Sequence, residues 1–139
     1  MTPTTVARYV AAVAVAVGGY EHFDLYRHSY HAIDRIGPLF ALNVIVSAGL
    51  TTTLLTRTDR TTRYAAIAFT ASTLLAFVVS RTVGLLGFKE TGLNPSPQAA
   101  ITLAAETIAL LALLVAPRSA HGRVHARVGG RDRTDHTES

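Results

Sequence analysis

Residues 18–43 read GGYEHFDLYRHSYHAIDRIGPLFALN, and this polar, aromatic segment decides how the rest of the chain is arranged. One apolar run precedes the segment and a second apolar run follows it. A run that is apolar on every face, and is near ~20 residues long, is typical of a transmembrane helix. The sequence therefore predicts that the segment connects two membrane spans, at the point where the chain leaves the bilayer and turns back into it.

Four apolar runs are present in the chain of 139 residues. They cover residues 5–20, 37–56, 64–86 and 98–116. Only helices or closed barrels satisfy backbone groups in lipid, and these runs lack the alternation of barrel strands. We therefore expect an all-α integral membrane protein, an antiparallel four-helix bundle over residues 1–117. A short polar, interfacial helix over residues 21–35 is expected between spans 1 and 2. A cleaved signal peptide is the alternative interpretation of the first run.

The composition excludes several classes of chemistry. Charged residues make up 16% of the chain, below the ~25% of soluble domains, and cysteine is absent. Disulfides, thiolate metal sites and cysteine nucleophiles are thereby excluded. The sequence also contains no glycine-rich phosphate loop and no GxSxG motif. It predicts no catalytic residue and no cofactor, and a binding or accessory role is favoured over an enzyme.

The basic residues indicate an orientation in the membrane. One side of the predicted bundle carries nine of them: Arg8, Arg57, Arg60, Arg63, Arg118, Arg123, Arg127, Arg131 and Arg133. The other side carries four: Arg27, Arg35, Arg81 and Lys89. The positive-inside rule then predicts a multi-pass plasma-membrane protein with both termini in the cytoplasm. Residues 118–139 are predicted to be a disordered, basic cytoplasmic tail. We interpret the net charge of +4 as a signal for this orientation and as a contact with anionic lipid, and not as a nucleic-acid-binding surface.

The predicted helix over residues 21–35 has two different faces. Carboxylates and imidazoles share one face and are weak candidates for metal ligands: Glu21, Asp24, His28 and His31. The alternative for this face is a solvated surface. In that case the helix dipole stabilises the carboxylates, because they lie near the helix N-terminus. The other face carries His22, Tyr26 and Tyr30. It predicts either simple packing in the interface or a lid over a pocket in the bundle.

Three polar side chains lie inside the predicted spans: Asn43, Arg81 and Glu106. Counted from the ends of the runs, they lie about 9–12 Å deep at one common level. Because an unpaired charge is costly there, an ion pair between Arg81 and Glu106 is expected. Such a pair is either a structural clamp or part of a polar pocket. The candidate ligand-binding residues are His22, Tyr26, Tyr30, Asn43, Arg81 and Glu106.

Several short motifs carry a resemblance to a known group of proteins. GGYEHFDLY, IGPLFALN, SRTVGLLGFKETG and the glutamate of AAET resemble uncharacterised actinobacterial small integral membrane proteins with four transmembrane helices. The resemblance covers residues 18–110 and implies a four-helix bundle, without implying an activity. The matching positions are His22, Tyr26, Tyr30, Gly37, Asn43, Arg81, Gly84, Glu90 and Glu106. A looser similarity, in architecture alone, is to DoxX-like proteins.

The predicted function is the binding of a small molecule or lipid in a polar pocket that faces outward. A proton or small-solute transporter that works as an oligomer is an alternative, and so is a quinone-linked redox accessory subunit. The expected partners are the lipid bilayer, a small hydrophobic or lipid-like ligand, and further copies of the chain in a homo-oligomer.

Overall fold

A computed structural model describes residues 1–115 of the chain. The predicted tail at residues 118–139 lies outside the described residues. The described part contains four α-helices and one short 3₁₀ turn, and no strand. These are α1 (Pro3–His28), the 3₁₀ turn (Tyr30–Ala32), α2 (Ile36–Thr56), α3 (Arg60–Thr82) and α4 (Gln98–Val115).

The first helix is longer than the sequence predicts. Thr2 caps its N-terminus by accepting a hydrogen bond from the Thr5 N–H at 3.2 Å, and proline follows in the first turn. The helix then continues without a break through the two glycines to His28. The separate interfacial helix over residues 21–35 is therefore a wrong prediction. Its first part belongs to α1, and its second part forms the 3₁₀ turn and the connection to α2.

The third helix begins and ends earlier than the apolar run does. Asp59 caps it and accepts a hydrogen bond from the Thr62 N–H at 2.8 Å, so α3 starts at Arg60. It ends at Thr82, shortly before Gly84, which has a φ of 90°. Glycine is favoured in this left-handed region because it has no Cβ. Arg81 consequently lies in the last helical turn and not deep in a span.

Three helices are long and apolar enough to cross a membrane: α2, α3 and α4. They indicate a membrane protein. α1 is not among them, because its apolar part is limited by Arg8 on one side and by the polar residues after Gly19 on the other. A fourth span in α1 stays a prediction.

Many large apolar side chains face outward in this molecule, and several polar side chains are buried. Large apolar residues are exposed on every helix, for example Val13, Ile45 and Leu75 at 62%, 69% and 65%. Several polar side chains are buried instead: Ser47, Thr62, Thr70, Ser80, Thr102 and Glu106. The apolar core consists mainly of alanines with a few larger residues. This distribution is the one expected where lipid surrounds closely packed helices.

Helix α1 packs against both α2 and α4, and two adjacent glycines make this possible. A Cβ added to Gly18 would lie 2.9 Å from Oε1 of Glu106 on α4. A Cβ added to Gly19 would lie 2.6 Å from the Cβ of Ser47 on α2. α3 packs mainly on α4, whereas α2 and α3 have few contacts with each other.

Arginine side chains join the helix ends at one end of the molecule, which we name the Arg57 end. The Arg8 guanidinium donates to the carbonyl of Arg57 at 2.8 Å, and Nε of Arg63 donates to the carbonyl of Leu113 at 2.9 Å. Both bonds satisfy carbonyls at the C-terminal ends of helices, where cations are favoured. The opposite end, which holds the 3₁₀ turn and the connection from α3 to α4, is named the Glu90 end.

Candidate functional site

A cavity of about 320 Å³ lies towards the Glu90 end. Side chains of α2, α3 and α4 form most of its lining, and α1 contributes His22 and Leu25. The sparse contact between α2 and α3 leaves this space between them. Most of the lining is apolar, with aromatic rings at His22, Tyr30, Phe40, Phe69, Phe77 and Phe88. The size and the lining are typical of a site for a small ligand.

Of the residues of α4 that line the cavity, Glu106 lies farthest from the Glu90 end. The side chain is 1% exposed, and neither carboxyl oxygen has a hydrogen-bond partner among the described residues. It fits there because Gly18 on α1 has no side chain. A buried carboxyl without a hydrogen bond is costly, so this position requires a reason other than stability.

The predicted ion pair between Arg81 and Glu106 is wrong. A guanidinium nitrogen of Arg81 lies 3.0 Å from Oε2 of Glu90 instead. The remaining Arg81 donors bond to the carbonyls of Gly92 and Asn94, both at 2.9 Å, and to the Ser80 hydroxyl. Because α3 ends at Thr82, Arg81 is level with the connection to α4 and can reach it. Arg81 therefore clamps that connection, and its charge is balanced without Glu106.

Tyr30 joins the same cluster from the other side of the cavity. Its hydroxyl donates to Oε1 of Glu90, and its ring stacks on Phe40 with the centroids 4.6 Å apart. Burial and the hydrogen bond to Glu90 both raise the pKa of the Tyr30 phenol above its ordinary value. The interaction ties the 3₁₀ turn to the connection between α3 and α4. Tyr30, Arg81 and Glu90 together line the Glu90 end of the cavity.

Asn43 connects α2 to α3 across the cavity. Its amide nitrogen donates to the hydroxyl of Thr73 at 3.3 Å, and its amide oxygen accepts from the hydroxyl of Ser47 at 3.2 Å. Asn43 and Thr73 both line the cavity. This bond is a polar link at the point where the two helices otherwise barely touch.

His22 and Tyr26 have different positions, although the sequence placed them on one face. Nδ1 of His22 donates to the carbonyl of Gly18 at 2.8 Å, and its ring is tilted against Phe40. The Nδ1 bond leaves Nε2 as the acceptor of the neutral ring. Tyr26 does not line the cavity, and its ring contacts the edge of His31. Of the six predicted binding residues, the structure brings five to the cavity and leaves Tyr26 outside it.

The weak metal candidates are not brought together. Among residues 1–115, no three histidine or carboxylate side chains are close enough to hold a metal ion. Nδ1 of His28 lies 3.2 Å from a carboxylate oxygen of Asp24, and the His28 side chain is exposed. Glu21 is buried, whereas His31 is exposed. The end of α1 at His28 separates His31 from the predicted helical face.

A second cavity, of about 550 Å³, lies at the Arg57 end. Four arginines line it together with threonines and Asp59: Arg8, Arg57, Arg60 and Arg63. The guanidinium groups of Arg8 and Arg63 already bond to helix-end carbonyls. This cavity is basic, and it differs in chemistry from the apolar cavity above Glu106.

Comparison of the chain with protein-family models, with curated proteins and with solved structures gave no match. The site is therefore interpreted from its own geometry.

Two site features were not predicted as such from the sequence. The first is the role of Glu90 as the partner of Arg81, although Glu90 is among the positions of the resemblance. Its place nine residues after Arg81, in a connection rich in glycine and proline, is the available signal. The second is Gly18, which is spaced four residues from Ala14. That small-residue spacing is a known signal for close helix contact.

Proposed function

We propose that this protein binds a small apolar or lipid-like molecule in the cavity above Glu106, and that it acts as a binding or accessory protein in the plasma membrane. The observation that carries the proposal is the unpartnered, buried carboxyl of Glu106 beside a cavity of about 320 Å³. Such a group is destabilising in an empty site and becomes useful when a ligand contacts it. No catalytic group is assigned.

The proposed architecture is an antiparallel bundle of four membrane-spanning helices, with α1 as the fourth. Two hydrogen bonds support it, from Arg8 to the end of α2 and from Arg63 to the end of α4. Each bond joins the N-terminal part of one helix to the C-terminal end of another, as expected for antiparallel neighbours. At the other end, Gln98 at the start of α4 reaches Asp24 near the end of α1 at 3.4 Å. The basic Arg57 end is proposed to be cytoplasmic, which leaves the cavity facing outward.

Labelling in intact cells tests this orientation. The chain has no cysteine, so single cysteines give unambiguous signals. Lys89 and Thr58 are exposed at opposite ends of the molecule. We expect a membrane-impermeant maleimide to label Lys89→Cys in intact cells and Thr58→Cys only after lysis. The reverse pattern would overturn the orientation.

Binding is favoured over transport for a single copy of the chain. The cavity above Glu106 and the basic cavity at the Arg57 end are separated by the buried apolar cluster, which includes Val15, Leu54, Ala109 and Leu113. A polar solute has no continuous path through this cluster. Transport by a homo-oligomer and a quinone-linked accessory role are the alternative functions. We also propose that the chain is a member of the actinobacterial four-span family.

A cavity-filling substitution tests the binding function. Ala76 on α3 lines the cavity, whereas Ala68 on the same helix is exposed on its outer side. Native mass spectrometry counts the adducts that form with the neutral apolar probe N-phenyl-1-naphthylamine. We expect one bound probe for the wild type and for Ala68→Phe, and none for Ala76→Phe. Equal binding by both variants would show that the probe does not use this cavity.

A further inference from the structure

The charges that line the cavity are unequal in number. Arg81 and Glu90 form an ion pair at 3.0 Å and cancel each other. Glu106 is the remaining carboxyl of the lining, and no cation among the described residues contacts it. Its charge must therefore be balanced by a proton or by a cation that enters the cavity, because an isolated charge in this environment is costly.

The surrounding elements offer no substitute for that cation. α2 contains no ionisable residue. α1 contributes His22 to the lining, but the His22 ring bonds to the carbonyl of Gly18 and packs against Phe40, and it makes no hydrogen bond to Glu106. The Glu90 end contributes Arg81, Glu90 and Tyr30, which bond to one another. Glu21 on α1 is buried but lies outside the lining, and it adds a second acidic group rather than a basic one.

The rest of the lining suits an organic cation that is itself apolar. Aromatic faces attract cations, and most strongly where water is excluded. The cavity already shows this interaction, because the Arg81 guanidinium lies 3.6 Å from the centroid of the Phe77 ring. Phe40 and Phe69 also line the cavity. An inorganic ion requires several oxygen ligands, which a lining that is mainly apolar does not supply well.

From these observations we infer that the cavity takes a hydrophobic cation, such as a quaternary ammonium or phosphonium compound, in exchange for a proton on Glu106. The inference rests on the proposed binding function and names its ligand class. When the cation enters, the Glu106 carboxyl releases its proton to the solvent, and the carboxylate forms the counter-charge. When the cation leaves, the proton returns, so that the buried site stays neutral in both states.

The exchange makes a quantitative prediction. Because one proton leaves for each cation that binds, affinity rises up to tenfold for each unit of pH in the range where the proton is held. Anions of the same size and shape are not expected to bind, because Arg81 of the lining is already paired with Glu90 and no further cation of the lining is left to balance an anion. The charge of Glu106, and not merely its volume, is required.

The test uses the full-length protein in nanodiscs and two probes of closely similar shape, tetraphenylphosphonium and tetraphenylborate. Isothermal titration in two buffers with different ionisation enthalpies measures affinity and proton release together. We expect tetraphenylphosphonium to bind with release of about one proton, and tetraphenylborate not to bind. Glu106→Gln should weaken the cation at least tenfold, and Glu106→Asp, which keeps the charge, should restore part of the affinity. Glu21→Gln is the matched control, and wild-type affinity is expected.

The outcomes separate the two levels of the proposal. Equal affinity of the wild type and Glu106→Gln for tetraphenylphosphonium would overturn the inference, as would binding without proton release. If the neutral naphthylamine probe still binds in either case, the proposed binding function survives. If the wild type binds neither the naphthylamine probe nor tetraphenylphosphonium, both the proposed binding function and the inference are overturned. A Glu106→Gln variant that keeps the neutral probe is folded, so that its loss of cation binding is specific.

Discussion

Replacing Gly19 with alanine tests the close contact between α1 and α2 on which the position of the cavity depends. The added Cβ would lie 2.6 Å from the Cβ of Ser47. Carbon atoms in contact normally lie about 3.5–4.0 Å apart, so the deficit is about 1 Å. Ser47 is 2% exposed and its Cβ cannot rotate away, because it is attached directly to the backbone of α2. The two helices must therefore separate.

The expected cost follows from overpacking of a closely packed interior. Forcing one extra methyl group into such a site costs about 1–3 kcal/mol. For a domain of this size, about 2 kcal/mol corresponds to a fall of roughly 6–10 °C in the unfolding midpoint. The assay is thermal unfolding of the purified protein in detergent, followed by circular dichroism. Gly49→Ala is the matched control, because a Cβ added there meets nothing within 4 Å.

A compensating change makes the result specific. Ser47→Gly removes the atom that the new methyl group strikes, and in the Gly19→Ala background it should recover most of the lost stability. The coupling between the two substitutions measures the contact directly. An unfolding midpoint for Gly19→Ala equal to that of Gly49→Ala would refute the close approach of α1 and α2.

Three further predictions concern ionisable groups outside the helical cores. Glu90→Gln should lower the free energy of unfolding by about 1.5–3 kcal/mol, since the largely buried Arg81 loses its counter-ion. Lys89→Gln is the control, because Lys89 is adjacent to Glu90 in the chain and exposed, and it should change the free energy of unfolding little. Glu90→Gln should also bring the pKa of the Tyr30 phenol closer to its ordinary value, because the charge of Glu90 is removed. Ultraviolet titration measures this pKa. Hydrogen bonds from Thr62 in the first turn of α3 lower the pKa of Asp59. The Asp59 carboxylate therefore stabilises the fold fully above about pH 4, the ordinary pKa of aspartate. This stabilisation is lost as the pH falls through the folded-state pKa. The gap in unfolding midpoint between the wild type and Asp59→Ala should therefore narrow in acid, and a gap that widens would contradict this account.

Hydropathy alone predicts much of the secondary structure. The second and fourth runs were predicted at residues 37–56 and 98–116, and the helices are Ile36–Thr56 and Gln98–Val115. The errors occur where polar and apolar signals overlap. Gly18 and Gly19 look like an interruption in the sequence, but their lack of side chains lets α1 pack against its neighbours while remaining helical. Hydropathy also extended α3 beyond Thr82, because residues 83–86 are mostly apolar although they form the connection.

Five of the six predicted binding residues line the cavity, but the predicted pairing of Arg81 with Glu106 is wrong. His22, Asn43 and Glu106 line the cavity as expected from their positions along the helices. Helix depth does not predict the partner of Arg81, because the apolar run continues to residue 86 whereas α3 ends at Thr82. Once α3 ends at Thr82, Glu90 becomes the carboxylate within reach, and Glu106 is left alone.

The accessibility of a cysteine beside Glu106 tests the existence of the cavity most directly. Thr102 and Thr70 are both buried, and both hydroxyls lack a hydrogen-bond partner among the described residues, but only Thr102 lines the cavity. Each is replaced by cysteine in the otherwise cysteine-free chain, and the rate of reaction with methyl methanethiosulfonate is followed by mass spectrometry. We expect Thr102→Cys to react much faster than Thr70→Cys, and tetraphenylphosphonium to slow only the former. Equal rates at the two positions would contradict a ligand cavity above Glu106.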